Sequence, residues 1–210
     1  MSDLYGKMSE LLISGGIEEI KKLTQQALDE GLEASEVLSK GLLPGMDIVG
    51  QRFKACEMFI PEVLRSAKTM QGSMGILRPL LSEADAAGAG TVVIGTVEGD
   101  LHDIGKNLVG MMLEGAGFQV VDLGTDVKPG DFVEAAKEHK PSILGMSALL
   151  TTTMPKMGET VNALKEAGIR DQIKVMAGGA PVTQDFVDEI GADAYGSNAT
   201  AAVEKAKGLV

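Results

Sequence analysis

The stretch TVVIGTVEGDLHDIGKN, Thr91 to Asn107, contains the pattern that decides the fold. Its first part, residues 91–97, is a β-branched run bounded by glycines, which is typical of a buried strand. Its last part begins a helix that we predict over residues 103–114. A buried strand followed at once by a helix is the first half of a strand–helix–strand unit, and repeated units of this kind build a parallel sheet.

The same alternation continues to the end of the chain. Further strands are predicted in FQVVDLG, SILGMSAL, IKVMAGG and ADAYGS, and further helices at residues 131–139, 155–167, 183–190 and 199–207. Such repeats predict a parallel sheet with helices on both faces and right-handed crossovers. Five strands in about 120 residues suit the flavodoxin-like, or Rossmann-like, strand order.

Residues 1–88 follow a different pattern, in which apolar side chains recur at helical spacing. Helices are predicted at residues 4–13, 17–31, from 35 onwards and 61–77, with a Pro–Gly break at 44–45. Four helices with short connections predict a small bundle. The Ala/Gly-rich segment SEADAAGAGT, residues 82–91, has the composition of a flexible linker. We therefore expect a helical cap domain at 1–88 and an α/β domain at 89–210.

Composition and charge argue against several classes of protein. The chain has 210 residues, is 44% hydrophobic and carries a formal net charge of -11. This acidic character argues against nucleic acid and against anionic membranes as partners. The sequence has neither an apolar run of about 18 residues, which a membrane span needs, nor the basic and apolar start of a signal peptide. A single cysteine, Cys56, allows no intramolecular disulfide, and we expect a cytoplasmic protein.

The predicted sheet also indicates where a ligand binds. In the flavodoxin-like order the site lies beyond the carboxyl ends of the strands, where the first and third strands diverge. The first strand leads into EGDLHDIG, the third into MSALLTTT and the fourth into AGGAP. We therefore expect these three loops to converge at one edge of the sheet and to form the site.

Asp100 and His102 are the most informative side chains of the first loop. An imidazole that binds a metal usually donates its other ring N–H to a carboxylate, and the Asp-x-His spacing lets one loop supply both groups. Zinc and non-haem iron sites normally use three or four protein ligands, and no second His or Cys lies near His102 in the sequence. One imidazole suffices when a macrocycle supplies the remaining ligands, which points to a tetrapyrrole-like cofactor. On spacing alone, an ordinary hydrogen-bonded or exposed histidine is the alternative.

Taken together, GDLHDIG, SALLTTT and GGAP resemble the cobalamin-binding signature Asp-x-His-x-x-Gly, Ser-x-Leu and Gly-Gly, in that order. Residues 44–70, PGMDIVGQRFKACEMFIPEVLRSAKTM, resemble the helical cap of cobalamin-dependent methionine synthase and of the small corrinoid proteins of methyltransferase systems. The resemblance covers nearly the whole chain. It implies that the protein binds cobalamin or a related corrinoid, methylcobalamin in the methylated state, with cobalt as the metal.

The resemblance also assigns roles to individual residues. The lower base of the corrinoid would leave cobalt for a slot in the α/β domain, His102 would replace it on the metal, and Asp100 would hold the other ring nitrogen. Thr153 stands where relatives have a serine that completes this relay. The other cofactor-binding residues of the α/β domain would be Gly105, Ser147, Leu149, Thr151, Gly178 and Gly179. In the cap, Phe53, Ile60 and Val63 would cover the face of the corrin that carries the methyl group. These three side chains are equally typical of a bundle core, and Gly178-Gly179 is equally typical of a plain turn.

A protein of this family would carry a methyl group on cobalt from a substrate-specific methyltransferase to an acceptor methyltransferase that uses tetrahydrofolate or a thiol. It would also need a reductive activation protein. Because the chain is too short to contain either catalytic barrel, it would be a non-catalytic component of a methyltransferase system. The methyl donor stays open, since proteins of this build serve methanol, methylamines, glycine betaine and methoxylated aromatics.

Three other functions stay open at this point. A cobalamin-binding sensory or regulatory module should carry a DNA-binding element, and no basic helix-turn-helix is visible in this acidic chain. The small subunit of a carbon-skeleton mutase shares the Asp-x-His-x-x-Gly loop but usually lacks the helical cap. A receiver domain should have a phosphorylatable Asp after the third strand, where this chain has Ser and Thr.

Overall fold

A computed structural model describes residues 2–81 and 89–210, the first two of these by their backbone alone. The chain divides into two compact units, of which the first comprises Met1–Gly88 with Glu114–Gly117, and the second Ala89–Leu113 with Phe118–Val210. Most of the predicted linker, residues 82–88, lies outside the described residues. Within the described ranges, no helix combines the length and the apolar character that a bilayer span requires.

The helical periodicity of the first unit produces helices close to those predicted. They are α1 (Ser2–Ser14), α2 (Ile17–Asp29), α3 (Ala34–Glu36), α4 (Leu43–Lys54) and α5 (Ile60–Leu77). Gly15 has φ +83°, in the left-handed region, and ends α1 where the sequence predicted. The core of this unit consists of buried apolar side chains, among them Met8, Leu12, Ile20, Val49, Val63 and Met70.

The predicted Pro–Gly break at residues 44–45 does not occur. A π-helical segment, Val37–Leu42, joins α3 to α4 without interruption. Pro44 is tolerated because it lies in the first turn of α4, where an N–H would have no partner within the helix. Gly45 packs closely against α1, since a Cβ at this position would lie 3.1 Å from the Cα of Ser9 and 3.2 Å from its carbonyl oxygen.

The second unit confirms the predicted flavodoxin-like sheet. Its five strands are all parallel and lie in the order β2-β1-β3-β4-β5. The strands are β1 (Thr91–Thr96), β2 (Gln119–Asp122), β3 (Ile143–Ser147), β4 (Lys174–Gly178) and β5 (Ala194–Gly196). The helices are α6 (Ile104–Gly115), α7 (Pro129–His139), α8 (Pro155–Glu166), α9 (Gln184–Ile190) and α10 (Ala199–Leu209).

The α/β unit has an apolar core between the sheet and its helices. β1, β3 and β4 are buried along most of their length, which explains why their sequences are apolar runs and do not alternate with polar residues. Gly95 in β1 admits the ring of Phe132 from α7, because a Cβ at Gly95 would lie 2.9 Å from the Phe132 Cζ atom. This close packing fixes the strands that carry the loops of the predicted site.

The carboxyl ends of the three central strands are in register. Thr96, the last residue of β1, pairs with Ser147, and Ser147 pairs in turn with Gly178 at the end of β4. β2 lies on one side of β1 and β3 on the other, so the connections from neighbouring strands leave the sheet in different directions at this point. The loops after β1, β3 and β4 therefore begin at the same level of one sheet edge.

Candidate functional site

Asp100 follows β1 and is fully buried. Its Oδ1 accepts a hydrogen bond from the His102 backbone N–H at 3.0 Å and lies 2.7 Å from the His102 Nδ1. Its Oδ2 accepts hydrogen bonds from the Leu149 N–H at 2.7 Å and from the Thr153 hydroxyl at 2.8 Å. The Leu150 N–H lies 3.3 Å from the same oxygen. Asp100 thus joins the loop after β1 to the loop after β3.

The environment of Asp100 keeps the carboxylate ionised. Burial would by itself raise the pKa of this carboxyl, because the charged form loses its hydration. The N–H groups of Leu149 and His102 act in the opposite direction, and so do the imidazole of His102 and the hydroxyl of Thr153. Together these donors outweigh burial and hold the pKa of Asp100 well below its usual range.

The imidazole of His102 is oriented on one side and open on the other. Its side chain is 53% exposed although its partner Asp100 is buried. The contact with Asp100 occupies Nδ1, so Nε2 is the nitrogen available to a ligand. The Thr96 hydroxyl also donates to the His102 carbonyl oxygen at 3.1 Å, which ties the loop to the end of β1. The arrangement is that of a metal-binding imidazole supported by a carboxylate.

Asp126 supports the same loop and was not identified from the sequence. Its N–H donates to the Asp100 carbonyl oxygen at 3.0 Å, and its carboxylate accepts a hydrogen bond from the Gly99 N–H at 2.7 Å. Its φ of +56° lies in the left-handed region, which aspartate tolerates better than most residues. The sequence signal was an Asp in the turn after β2, but this residue type is common in turns, and only the fold brings it to Asp100.

A cavity of about 240 Å³ lies at the carboxyl edge of the sheet. Its lining comes from β1, β3, β4, β5, the first two turns of α6 and the first turn of α10. The lining residues include Ile94, Gly105, Lys106, Leu108, Val109, Met146, Ser147, Met176, Gly178, Gly179, Tyr195, Gly196 and Asn198. We call this cavity the slot. It contains four of the residues predicted to bind the cofactor, namely Gly105, Ser147, Gly178 and Gly179.

The glycines of the slot have two different reasons to be glycine. At Gly178 a Cβ would lie 2.7 Å from the Gly196 carbonyl oxygen, and at Gly179 it would lie 1.9 Å from the Ala148 carbonyl oxygen. These two positions are therefore required by the packing of the protein itself. A Cβ at Gly105, in contrast, would meet no protein atom within 4 Å, which leaves room beside the slot.

Leu149 and Thr151, which were predicted to bind the cofactor, are not among the described residues that line the slot. Leu149 binds Asp100 through its backbone, and its side chain is exposed, like that of Leu150. Thr151 is exposed in the turn that follows, and it is not among the described residues that line the slot. On the loop after β1, Leu101 and Ile104 are 72% and 86% exposed on either side of His102 in the chain. Exposed apolar side chains around an open imidazole fit a large, partly apolar ligand.

The three cap residues lie in the helical unit in different environments. Val63 in α5 is fully buried among the core side chains of this unit. Phe53 in α4 is half-buried, and Ile60 at the start of α5 is 49% exposed. Phe59, which the sequence analysis did not single out, is also exposed, and its N–H is held by the Glu62 carboxylate at 2.8 Å. A role for these side chains at the corrin stays a prediction.

The side chains of the site suit a metal whose other ligands come mostly from a bound macrocycle. The described residues contain no group of three or more His, Cys, Asp and Glu side chains that could together hold a metal ion. His102 offers one open ring nitrogen, and Gly105, three residues later in the chain, leaves room at the slot. One imidazole and such a slot suit a metal macrocycle with an attached side group.

Comparison with known proteins identifies relatives of both units. A family model described as a B12 binding domain matches residues 90–204, and a second B12 binding domain model matches residues 4–78. The trimethylamine corrinoid protein 1 of Methanosarcina acetivorans is 45% identical over 210 residues, which cover 99% of this chain and 97% of that protein. The dimethylamine corrinoid protein of Methanosarcina barkeri is 44% identical over 209 residues, or 99% of this chain and 98% of that protein.

A solved structure is similar as well. It is a chain in the methanol:cobalamin methyltransferase complex MtaBC from Methanosarcina barkeri, with 32% sequence identity and a TM-score of 0.89. The match covers 99% of this chain and 79% of that chain. The similarity therefore extends over the helical unit and the α/β unit alike.

Proposed function

The chain belongs to the family of corrinoid proteins of methyltransferase systems, and from this we propose that it is a methyl carrier in which His102 would bind the cobalt. Its cofactor is a cobalamin or related corrinoid. In the proposed function, the chain receives a methyl group from a substrate-specific methyltransferase and delivers it to an acceptor methyltransferase. It supplies the bound corrinoid, and the partners supply the sites for their own substrates.

The observation that carries this proposal is the contact between Asp100 and His102. The 2.7 Å distance from Oδ1 to Nδ1 sets the tautomer and the direction of a half-exposed imidazole. Such a carboxylate–histidine pair is the usual support of a histidine ligand. The low pKa of Asp100 favours the proposal further, because an ionised carboxylate is the form that accepts the ring N–H.

The slot supports a second part of the proposal, that the lower base of the corrinoid would be held in the α/β unit while His102 would hold the cobalt. A displaced base with its nucleotide tail needs a long cavity beside the ligand loop, and Gly105 provides open space three residues after His102. Ser147 lines the slot and offers a hydroxyl to the base. Gly178, which pairs with Ser147, and Gly179 keep the neighbouring part of the wall free of side chains.

When bound, the corrinoid supplies a cobalt atom that can take up a methyl group and release it to an acceptor. The residues of the chain control the state of the histidine ligand. Asp100 would hold Nδ1 of the ligand, and in a protonated imidazole the same contact would be an ion pair. The Thr153 hydroxyl, at 2.8 Å, donates to the same carboxylate and stabilises its negative charge.

The partners follow from the relatives. The names of two relatives refer to trimethylamine and dimethylamine, and that of the solved complex to methanol. We therefore propose a methylamine:corrinoid methyltransferase as the first donor partner to test. The proposed acceptor is a tetrahydrofolate or thiol methyltransferase, and a reductive activation protein would return oxidised cobalt to the active state.

The histidine assignment can be tested because the chain has only two histidines. His102→Ala should lose histidine coordination, whereas His139→Ala is the matched control at an exposed position in the last turn of α7. Each protein is mixed with hydroxocobalamin, freed of unbound corrinoid by gel filtration and reduced to the Co(II) form. Electron paramagnetic resonance with ¹⁵N-histidine then shows whether a histidine nitrogen binds cobalt.

We expect histidine-bound cobalt in the unaltered chain and in His139→Ala, and its absence in His102→Ala. Histidine coordination that persists in His102→Ala would disprove the assignment. For the carrier function, the methylated chain is mixed with an acceptor methyltransferase and its acceptor, and loss of the methylcobalamin absorbance is followed. No demethylation with either a tetrahydrofolate-dependent or a thiol-dependent partner would contradict methyl transfer.

A further inference from the structure

Lys106, in the first turn of α6, is a buried cation that lines the slot and to which the proposed function assigns no role. Its side chain is 1% exposed. Its Nζ lies 2.6 Å and 2.5 Å from the two carboxylate oxygens of Asp122, the last residue of β2, and 2.7 Å from the Oδ1 of Asn107. A buried ammonium requires partners of this kind, because burial of an unpaired charge is strongly unfavourable.

The position of Lys106 is electrostatically unfavourable for a cation. The free N–H groups in the first turn of a helix carry partial positive charge, which favours anions. In addition, Asp122 is 43% exposed, and an ion pair that is open to solvent on one side contributes little to stability. Stability is therefore a weak explanation for this lysine, whereas the fixed geometry of an ion pair with several hydrogen bonds is a stronger one.

The contacts of Lys106 lead in one direction to the residue after His102. Lys106 donates to the Asn107 side-chain oxygen, and the Asn107 side-chain nitrogen donates to the Asp103 carboxylate at 2.9 Å. The backbone N–H of Asn107 also donates to the Asp103 carbonyl oxygen at 2.7 Å. The segment directly after the imidazole is thus anchored to Lys106 through two side chains.

In the other direction the contacts return to His102 through β2 and β1. Asp122 accepts a hydrogen bond from the Gly124 N–H at 2.9 Å, and the Gly124 carbonyl oxygen accepts one from the Thr96 N–H at 2.9 Å. The Thr96 hydroxyl then donates to the His102 carbonyl oxygen. These contacts form a closed ring that holds the backbone on either side of the His102 carbonyl, and Asp100 takes no part in it.

We infer that Lys106 is a positioning residue for His102, acting through the Asp122 ion pair that closes this ring of contacts. The inference rests on the proposed function only in taking His102 as the cobalt ligand. Asp100 orients the imidazole, whereas the ring closed by Lys106 holds the backbone that carries the imidazole. With both in place, His102 is ordered before the corrinoid arrives, and less conformational freedom is lost on binding.

Three variants separate positioning from stability. Lys106→Met removes the ammonium but keeps the length of the side chain, and Asp122→Asn removes the partner charge at a partly exposed position. Arg170→Met is the matched control, because Arg170 makes a mostly buried ion pair with Asp193 at 2.8 Å near the amino ends of β4 and β5. Circular dichroism first establishes a temperature at which every variant is folded.

Two readouts are then taken on the full chain. Amide hydrogen exchange at His102 and Asn107 is measured without corrinoid, since both N–H groups make hydrogen bonds within the loop. The fraction of cobalt bound to histidine is measured on the loaded chain by electron paramagnetic resonance of the Co(II) form with ¹⁵N-histidine. Exchange is expressed relative to that of the core amides of β3, Ile143–Ser147, because a residue that acts on stability alone would speed both by the same factor. Such a residue would move neither the relative exchange nor the histidine-bound fraction.

We expect Lys106→Met and Asp122→Asn to speed exchange at His102 and Asn107 by about tenfold or more and to lower the histidine-bound fraction. Arg170→Met should lower the unfolding temperature but change neither readout. Unchanged exchange and an unchanged bound fraction in the first two variants would overturn the inference. If Lys106→Met does not fold, Asp122→Asn decides by the same readouts. A chain that takes up no corrinoid would contradict the proposed function, and amide exchange would still decide this inference.

Discussion

At the scale of single residues, Asp100 is the group on which the site depends. It is fully buried, yet its carboxylate accepts hydrogen bonds from backbone and side chains of two loops. These donors would be left without partners if the carboxylate were removed, and an unsatisfied buried donor is more costly than an exposed one. Asp100 therefore has a structural role in joining the loops as well as a role in orienting His102.

Asp100→Asn tests the structural role. The amide keeps the size of the side chain but replaces one acceptor oxygen with a donor, so at least one N–H or O–H group loses its partner. We expect the free energy of unfolding to fall by about 1–3 kcal/mol near neutral pH, measured by urea denaturation. Asp171→Asn, at an exposed position, is the control and should change it by less than about 0.5 kcal/mol.

The difference in the free energy of unfolding between the unaltered chain and Asp100→Asn should change with pH in a definite direction. Because the pKa of Asp100 is lower in the folded chain than in the unfolded one, the carboxylate stabilises the fold above the unfolded-state pKa of about 3.9. The contribution is lost as pH falls from there through the folded-state pKa. The stability difference between the unaltered chain and Asp100→Asn should thus shrink as pH falls below about 4. A difference that grows as pH falls below about 4 would show that the shift has been assigned the wrong direction.

At the scale of elements, α4 contains two glycines with opposite expected responses to the same substitution. Gly50→Ala adds a Cβ that meets no atom within 4 Å, and it should stabilise the helical unit by about 0.5–1 kcal/mol through helix propensity. Gly45→Ala places the Cβ 3.1 Å from the Ser9 backbone, and it should destabilise the unit by about 1–3 kcal/mol.

The two variants are controls for each other, since both replace glycine by alanine in one helix. The measurement is amide exchange in residues 43–54 of the full chain, which reports the stability of this unit separately from that of the sheet. Equal changes in amide exchange in the two variants would mean that α1 and α4 accommodate the added Cβ at Gly45 without loss of stability. The expected destabilisation by Gly45→Ala would then be wrong.

At the scale of the whole molecule, binding of the cofactor is linked to folding of the α/β unit. A ligand that binds only the folded chain raises the free energy of unfolding, by about 2.7 kcal/mol at a hundredfold excess over its dissociation constant. Gly105→Leu should remove this gain because the added side chain would occupy open space at the slot. It should leave the stability of the corrinoid-free chain nearly unchanged.

The comparison uses thermal unfolding with and without hydroxocobalamin, and Gly110→Ala is the control in the same helix. A Cβ at Gly110 makes only an ordinary contact, 3.7 Å from Val120, and Gly110 does not line the slot among the described residues. The control should therefore retain the shift in unfolding temperature. A full shift in Gly105→Leu would show that the space beside Gly105 is not used by the cofactor.

The sequence by itself determined the architecture of the α/β unit and the place of its site. The buried strands are continuous apolar runs and the helices have helical periodicity, and both patterns are local consequences of burial. Five strand–helix repeats admit few topologies, because parallel crossovers are right-handed, and the observed strand order is the predicted one. The Asp-x-His spacing placed Asp100 and His102 together because the two are close in the chain.

The tertiary structure alone decided which distant residues complete the site. Asp100 meets Thr153 across 53 residues, and Lys106 meets Asp122 across 16. Asp126 takes its place by a left-handed turn that leaves no periodic signal. The uninterrupted passage from α3 to α4, where a break was expected at Pro44, likewise depends on Pro44 lying in the first turn of α4. Contacts of this kind follow from strand register and from the packing of whole elements, and neither is encoded in the residues that lie next to one another in the chain.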